Sequence, residues 1–487
     1  MADTMNTMVV GGNADINLFQ QIISTNLIYQ QYKPRWNYYL ESYLGGETYR
    51  QGGHLVHYEN ESSTEYEARL NATPLDNHVK GVVSIYNSFL FRNKADRNFG
   101  SLANLPELEE FIDDVDFDGR CIDDFMKDVS TWACVFGHCW LLVSKPNINA
   151  TTKADEIMNG IRPYLSVLSP IVVLDWDWKR QPNGRYELTY FKYVEEINGN
   201  EQTIKTWTKD EVTTSIIDLK DRIVKQVVPE KNGLGCIPAV LAFSQRSIVR
   251  GIGTSPISDI ADAQKFIYNA TSEVDQSIRL NSHPSLVKTT ETAAGAGAGA
   301  IIQMPDNLDP QLKPYVLQFA GQDISNTFVA ITNTIESIEK MANIGTVRSS
   351  QTRTMSGVAM ETEFQLLNAR LNEMADNLEL AEDQMWCFWA MYQGQSWDGE
   401  IDYPEEFNIR DKSGEIDRIK KAFDCAPTDP RVIQQLNAQL MEYIDPDYDE
   451  LTWAADTTIS TPDAVDEPGE LPTPMVGAFP LTDDDEE

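Results

Sequence analysis

The sequence predicts an α+β chain of several domains, and three observations carry that expectation. Residues 251–282, 322–345 and 355–392 place apolar side chains at helical spacing, over lengths beyond the usual three turns. Residues 163–228 instead alternate apolar and polar side chains, and the turn sequence NGN at 198–200 punctuates them. A chain of 487 residues also exceeds what one hydrophobic core organises, so about two to four domains are expected.

The first long helix starts near Pro256, whose missing N–H costs nothing in a first turn. Ile257, Ile260, Ile267, Val274 and Ile278 then form one narrow apolar face. Asp259, Asp262, Gln264, Glu273 and Gln276 fall opposite, and His283-Pro284 ends the helix. The second repeats the pattern with Ile324, Phe328, Ile331, Ile335, Ile338 and Met341, and Gly345 is the expected stop. Stripes this narrow suit packing against copies of the same chain or one neighbour, not burial in a deep core. A helical hairpin inside an ordinary globular enzyme fits the same pattern. The third helix carries Phe364, Leu367, Leu371, Leu378, Met385 and Trp389 on one face. A Gly/Ala tract at 295–300 and Pro-punctuated strands separate the first two helices, which reads as a small β insert. The tract lacks the lysine of a phosphate-binding loop.

Ahead of the long helices, residues 15–45 are helical and rich in aromatics, with Tyr32, Arg35, Trp36, Tyr39 and Tyr43 at helical spacing as packing surface. Residues 46–72 read as a polar loop and 73–91 as a second amphipathic helix. Asp114, Asp116, Asp118 and Gly119 match the first half of a calcium-binding loop, but Phe125 stands where the closing glutamate belongs. The alternative is that Asp118 caps the helix through Phe125, Met126 and Val129. Cys134, His138 and Cys139 lack the second ligand pair that zinc needs and read as a helix–Gly137–strand corner. In 163–178 the pattern is a strand pair or one long bent strand; Asp175-Trp176-Asp177-Trp178 gives it one buried and one wet face. Residues 229–250 are a loop and a buried strand, and two helices broken at Pro427 and Pro430 follow the third long one. Residues 1–14 and those after 445 lack the composition of a packed core.

The net charge of −36, from 75 acidic and 39 basic residues, opposes a protein that grips nucleic acid. It suits a surface past which DNA slides, and equally suits plain solubility. Residues 441–487 hold 15 Asp/Glu and no Lys or Arg. No window approaches 18 apolar residues, so no membrane partner is expected. The N-terminus does not read as a secretory signal, and six scattered cysteines suggest reduced thiols. There is no GxSxG, HExxH or Walker lysine, and His54 and His57 lack a metal-site partner motif. No enzyme activity, cofactor or metal is therefore expected.

Four stretches in succession resemble the portal proteins of tailed bacteriophages. They are YxxRWxYYLxxYLGG at 32–46, LDNHVKGVVSIYNSFLF at 75–91, VVPEKNGLGCIPAVLAF at 227–243 followed by the GIGTSPISDIADAQKF run within 250–287, and SGVAMETEFQLLNARL at 356–371. The resemblance implies a portal-like fold with long stem helices, a mixed α/β wing, a small β clip insert and a helical crown. The wing would span 15–250, the stem helices 251–282 and 322–345, and the clip 283–321. The tunnel loop would be 346–357, a long wing helix and returning strand 358–412, the crown 413–445, and an acidic disordered tail 446–487. It also implies a ring, twelve-fold in this family, at one capsid vertex of the virion, assembled in the host cytoplasm. Genomic double-stranded DNA would be packaged and ejected through it without sequence preference. Partners would be the terminase large subunit, the major capsid and scaffolding proteins, and a head–tail adaptor. The loop Arg348, Ser349, Ser350, Gln351, Thr352, Arg353 and Thr354 is poor core material and reads by itself as a solvent-exposed connection. The resemblance makes it the channel-lining segment. The other readings are a cytosolic enzyme with an unrecognised site and a different neck or baseplate protein.

Overall fold

A computed structural model describes residues 13–146, 156, 158–282, 285–288, 290, 293–294, 302–303, 307, 309, 313–317, 322–345, 357–404, 407, 419–423, 436–437 and 440. The chain divides into two compact units, Met1–Asn408 and Ile409–Glu487. In the second, the described residues 419–423 are helical. The Gly/Ala tract at 295–300, the first twelve residues, most of the expected crown and the whole acidic tail lie outside the described residues.

The first unit is built outward from one corner. Helix α7 (Ile122–Phe136) stops at Gly137, whose φ of 87° is left-handed, and strand β2 (His138–Ser144) leaves at once. Every residue of β2 is buried. It is the middle strand of the three-stranded antiparallel sheet β3-β2-β9, with β3 at Tyr164–Leu168 and β9 at Ala239–Phe243. A strand covered on both faces reads as a continuous apolar run, as WLLV does here. The Cys134/His138/Cys139 cluster is thus core, as expected, and among the described residues no group of side chains could hold a metal.

A second sheet is a five-stranded antiparallel meander, β4 (Val173–Arg180), β5 (Tyr186–Asn198), β6 (Glu201–Thr208), β7 (Glu211–Asp218) and β8 (Ile223–Lys231). The NGN turn joins β5 to β6, as the alternation predicted. Residues 163–178 are neither a strand pair nor one bent strand: β3 pairs with β2, and β4 begins the other sheet. Local alternation cannot say which distant strand a segment pairs with. Trp140 of β2 joins the two sheets, packing on Phe191 (ring centroids 4.8 Å apart) and on Trp176 and Trp178. Helix α1 (Asn13–Ile23) covers the meander through Phe19 against Ile204, Ile217 and Val224.

Around β2 pack α2 (Leu27–Leu44), α5 (His78–Leu90), α7 and the helix Gly357–Tyr392. Leu367, Leu371, Leu378, Met385 and Trp389 of that last helix are all buried, as their spacing predicted. Two other expectations fail locally. Residues 46–72 are not one loop but contain α3 (Gly46–Gln51) and α4 (Ser63–Ala72). Ser62 and Glu65 close a full capping box there, a pattern present in the sequence. The next helix starts at His78, capped by Asn77, and excludes Pro74.

The first two long helices are Ser258–Ser282 and Gln322–Met341, which pack against each other. Between them the insert forms two small ladders, β10 (Ser285–Val287) with β13 (Tyr315–Leu317) and β11 (Ala293–Ala294) with β12 (Ile302–Gln303). Strand β1 (Asp96–Asn98) pairs with β14 (Glu400–Asp402), closing the unit.

Candidate functional site

Arg348, Ser349, Ser350, Gln351, Thr352, Arg353 and Thr354 lie outside the described residues. What the structure describes are the two helix ends that carry this loop. The helix Gln322–Met341 does not run to Gly345. It ends at Met341, and two residues on, Asn343 takes the left-handed conformation at φ 56°. The Ile344 N–H donates to the Glu339 carbonyl (3.0 Å) and the Asn343 N–H to Lys340 (3.2 Å). This is a Schellman cap, with asparagine in the position that glycine usually takes. Its apolar closure is Ile344 with Ile338, both fully buried in the main core.

Two further groups fix that end. The Tyr86 hydroxyl donates to the Ala342 carbonyl (2.8 Å), and burial pushes its pKa up to about 12. Arg370, on the helix that follows the loop, lies over the Tyr86 ring at 5.6 Å and donates to the Met341 carbonyl (3.5 Å). A cation at a helix C-terminus is favourable to the exposed carbonyls. The loop therefore leaves from a capped end tied to the helix at which it returns.

The start of Ser258–Ser282 is held as firmly. The segment GIGTSP at 251–256 lies against the α7–β2 corner. A Cβ on Gly253 would come within 2.0 Å of the Gly137 oxygen, so only glycine fits. The Gly253 N–H donates to His138 Nδ1 (3.3 Å), and burial pushes the His138 pKa down to about 3. The Ser255 hydroxyl lies 2.8 Å and 3.0 Å from the carbonyls of Cys134 and Val135, the last turn of α7. The Tyr38 hydroxyl donates to the Ala261 carbonyl (2.7 Å). Gln264, placed on the polar face by its spacing, is fully buried: its amide donates to Ser42 O and its oxygen accepts from Val79 N. The apolar stripe is likewise covered by the chain itself at Ile257, Ile260, Ile267 and Val274. The expectation that it avoids a deep core holds only farther along, at Ile278, which is exposed. The reason is local: α2 and α5 supply a core for the first four turns.

The second helix is different. Phe328 is 50% exposed and Val329 59%, and Ile324, Ile331 and Ile335 are half-buried. Phe266 on the first helix adds to this apolar surface. Phe266, Phe328 and Val329 thus stay exposed among the described residues.

The remaining sequence candidates are structural. Asp114 accepts from Gly119 N–H and from Arg162; Asp116 accepts from Asp118 N–H and pairs with Arg120. Arg162 and Arg120 thus hold the carboxylates of Asp114 and Asp116. Asp118 does not cap α7, which begins after Cys121 without a side-chain cap. His54 pairs with Glu41 at 2.7 Å and stacks among Tyr38 and Tyr49. Sequence reasoning missed a buried ionic cluster. Arg97 binds Glu382 (2.6 Å) and Asp123, while Tyr403 and Trp386 also donate to Glu382. Its signal was Glu382 itself, an acid between Leu378 and Met385 on an apolar helix face.

The family described as phage portal protein, SPP1 Gp6-like, matches residues 27–417, from the first residue of α2 through all three long helices. This chain belongs to that portal protein family. The family is structural and not enzymatic. No curated protein matches this portal chain. Solved structures of gene transfer agent particles contain similar chains. One, from the virion of the native particle, is 10% identical, with 74% of this chain and 89% of that chain covered and a TM-score of 0.41. Another, from the neck of the empty particle computed with C6 symmetry, is 10% identical, covers 78% and 95%, and scores 0.43.

Proposed function

We propose that twelve copies of this chain form the portal ring at one capsid vertex of a tailed phage or phage-like particle. Genomic double-stranded DNA enters and leaves through its channel. The family match over residues 27–417 supports the reading. In this reading 15–250 and 358–412 form the wing, the two long helices the stem, 283–321 the clip and 413–445 the crown. The exposed Phe266, Phe328 and Val329 are then covered by the neighbouring stem. Terminase docks first, and a head–tail adaptor replaces it.

The chemistry of the channel follows from charge. A chain of net charge −36 repels phosphate and does not retain it. Arg348 and Arg353, with the small polar residues Ser349, Ser350, Gln351, Thr352 and Thr354, form a thin basic collar on each copy. Each phosphate contact adds about one unit to the salt slope of DNA binding, so a few contacts touch the duplex without arresting it.

Two measurements test this. Native mass should show a ring near twelve times 54.9 kDa; a stable monomer at working concentration would refute assembly. Arg348→Ala with Arg353→Ala should leave the ring intact but change packaging rate or DNA retention in filled heads. Packaging and retention equal to the parent would remove the collar.

A further inference from the structure

A cleft of about 350 Å³ opens beside the α7–β2 corner, between β9, the loop at 244–252 and the helix Gly357–Tyr392. It has two unmet features. Arg246 and Arg250 line the rim, and neither is within 4.0 Å of a carboxylate of the described residues. Arg246 is held by Asn377 (3.2 Å), and Arg250 lies flat on the Tyr186 ring, 3.5 Å from its centroid. Arg92, Arg180, Arg185, Arg222 and Arg370 also have no carboxylate within 4.0 Å among the described residues, but Arg246 and Arg250 are the pair that shares a cleft. Finally, Ile248 at the tip of the loop is 104% exposed.

Two fixed guanidiniums on a chain with 75 acids and 39 bases are a scarce complement to an abundant group. The many acids of this chain make a second copy a complementary occupant. We infer that this cleft receives a carboxylate-bearing segment of a second copy of this chain, seated between Arg246 and Arg250 and covering Ile248. Fork-shaped guanidiniums bind carboxylates in a defined geometry, so the contact would set the angle between neighbours as well as their affinity. The inference rests on the ring reading above and names the surface that closes it.

The test uses the full-length chain. Arg250→Glu and Ile248→Ser are separate variants; Ile248 is fully exposed, so its replacement leaves the fold intact, and thermal melting checks both. Assembly is followed by sedimentation against protein concentration and salt. Expected is a half-assembly concentration raised about tenfold or more by Arg250→Glu, with a flatter salt dependence. Ile248→Ser should raise it by a smaller factor. If the parent forms rings and both folded variants assemble like it, the cleft is not the interface, and the ring reading stands. If the parent itself stays monomeric, the ring reading and a second copy as occupant both fall.

Discussion

Replacing Gly253 by alanine should unseat the first long helix. Real Cβ atoms essentially never approach other atoms within 3.0 Å, and this one would sit 2.0 Å from the Gly137 oxygen and 2.6 Å from its carbon. The two backbones must part by about 1 Å, since neither contact is a flexible side chain. Such overpacking costs about 1–3 kcal/mol. The carbonyl that moves accepts from Ser244 N–H (3.0 Å), and Gly253 N–H donates to His138 (3.3 Å). Weakening two buried hydrogen bonds adds about 1 kcal/mol each. The expected loss is about 3–5 kcal/mol, a large share of a domain's usual stability of about 5–15 kcal/mol. Gly233→Ala is the control, because a Cβ there meets nothing within 4 Å and its φ is ordinary. Urea denaturation at matched protein concentration compares the two, since assembly itself shifts apparent stability. Equal midpoints for Gly253→Ala and Gly233→Ala would refute the close approach as the determinant.

The other expectations concern the cap, the ionic cluster and pH. Asn343→Gly should be neutral or slightly stabilising, whereas Asn343→Val should cost about 1–2 kcal/mol because the position is left-handed; thermal melts of both variants decide it. Glu382→Leu leaves Arg97 with Asp123 alone and takes the acceptor from Tyr403 and Trp386, and should cost about 3–5 kcal/mol; adding Arg97→Met should recover part of that loss in urea titrations. His138 keeps its neutral form because burial lowers its pKa to about 3. Between about pH 6.5 and 3 the unfolded chain binds a proton there that the folded chain refuses. Its stability contribution is therefore full above about pH 6.5 and is lost on acidification; a His138→Leu variant should show a shallower fall over that window.

Much of this architecture was legible along the chain, because helical and strand periods are local properties. Leu367, Leu371, Leu378, Met385 and Trp389 announced a buried face, and that face is buried. What local pattern could not show is partnership. Residues 164–168 and 173–180 look continuous in sequence yet belong to different sheets, because each is claimed by a strand elsewhere in the chain. Gln264 looks polar-faced, and only the arrival of Ser42 and Val79 makes its burial affordable. Ser62 and Glu65 were readable as a helix start, but the polar composition around them masked the signal. At the loop, the sequence marked Arg348 and Arg353 by their unsuitability for a core. The cap at Asn343 was not readable, since it depends on Ile344 meeting Ile338 and Tyr86 in three dimensions.

The rooted helix Ser258–Ser282 has a mechanical consequence. Kinks arise mostly at proline, glycine or inserted turns, and this segment contains neither residue. Its last buried residue among those described is Val274, so the final eight residues, about 12 Å, overhang the core. The helix Gln322–Met341 is also free of proline and glycine and runs beside it. The pair acts as a clamped beam with no joint along its span. A sideways push at the Ser282 end therefore bears on the clamp, at Gly253 and the Gly137–His138 turn, and so on the buried strand 138–144.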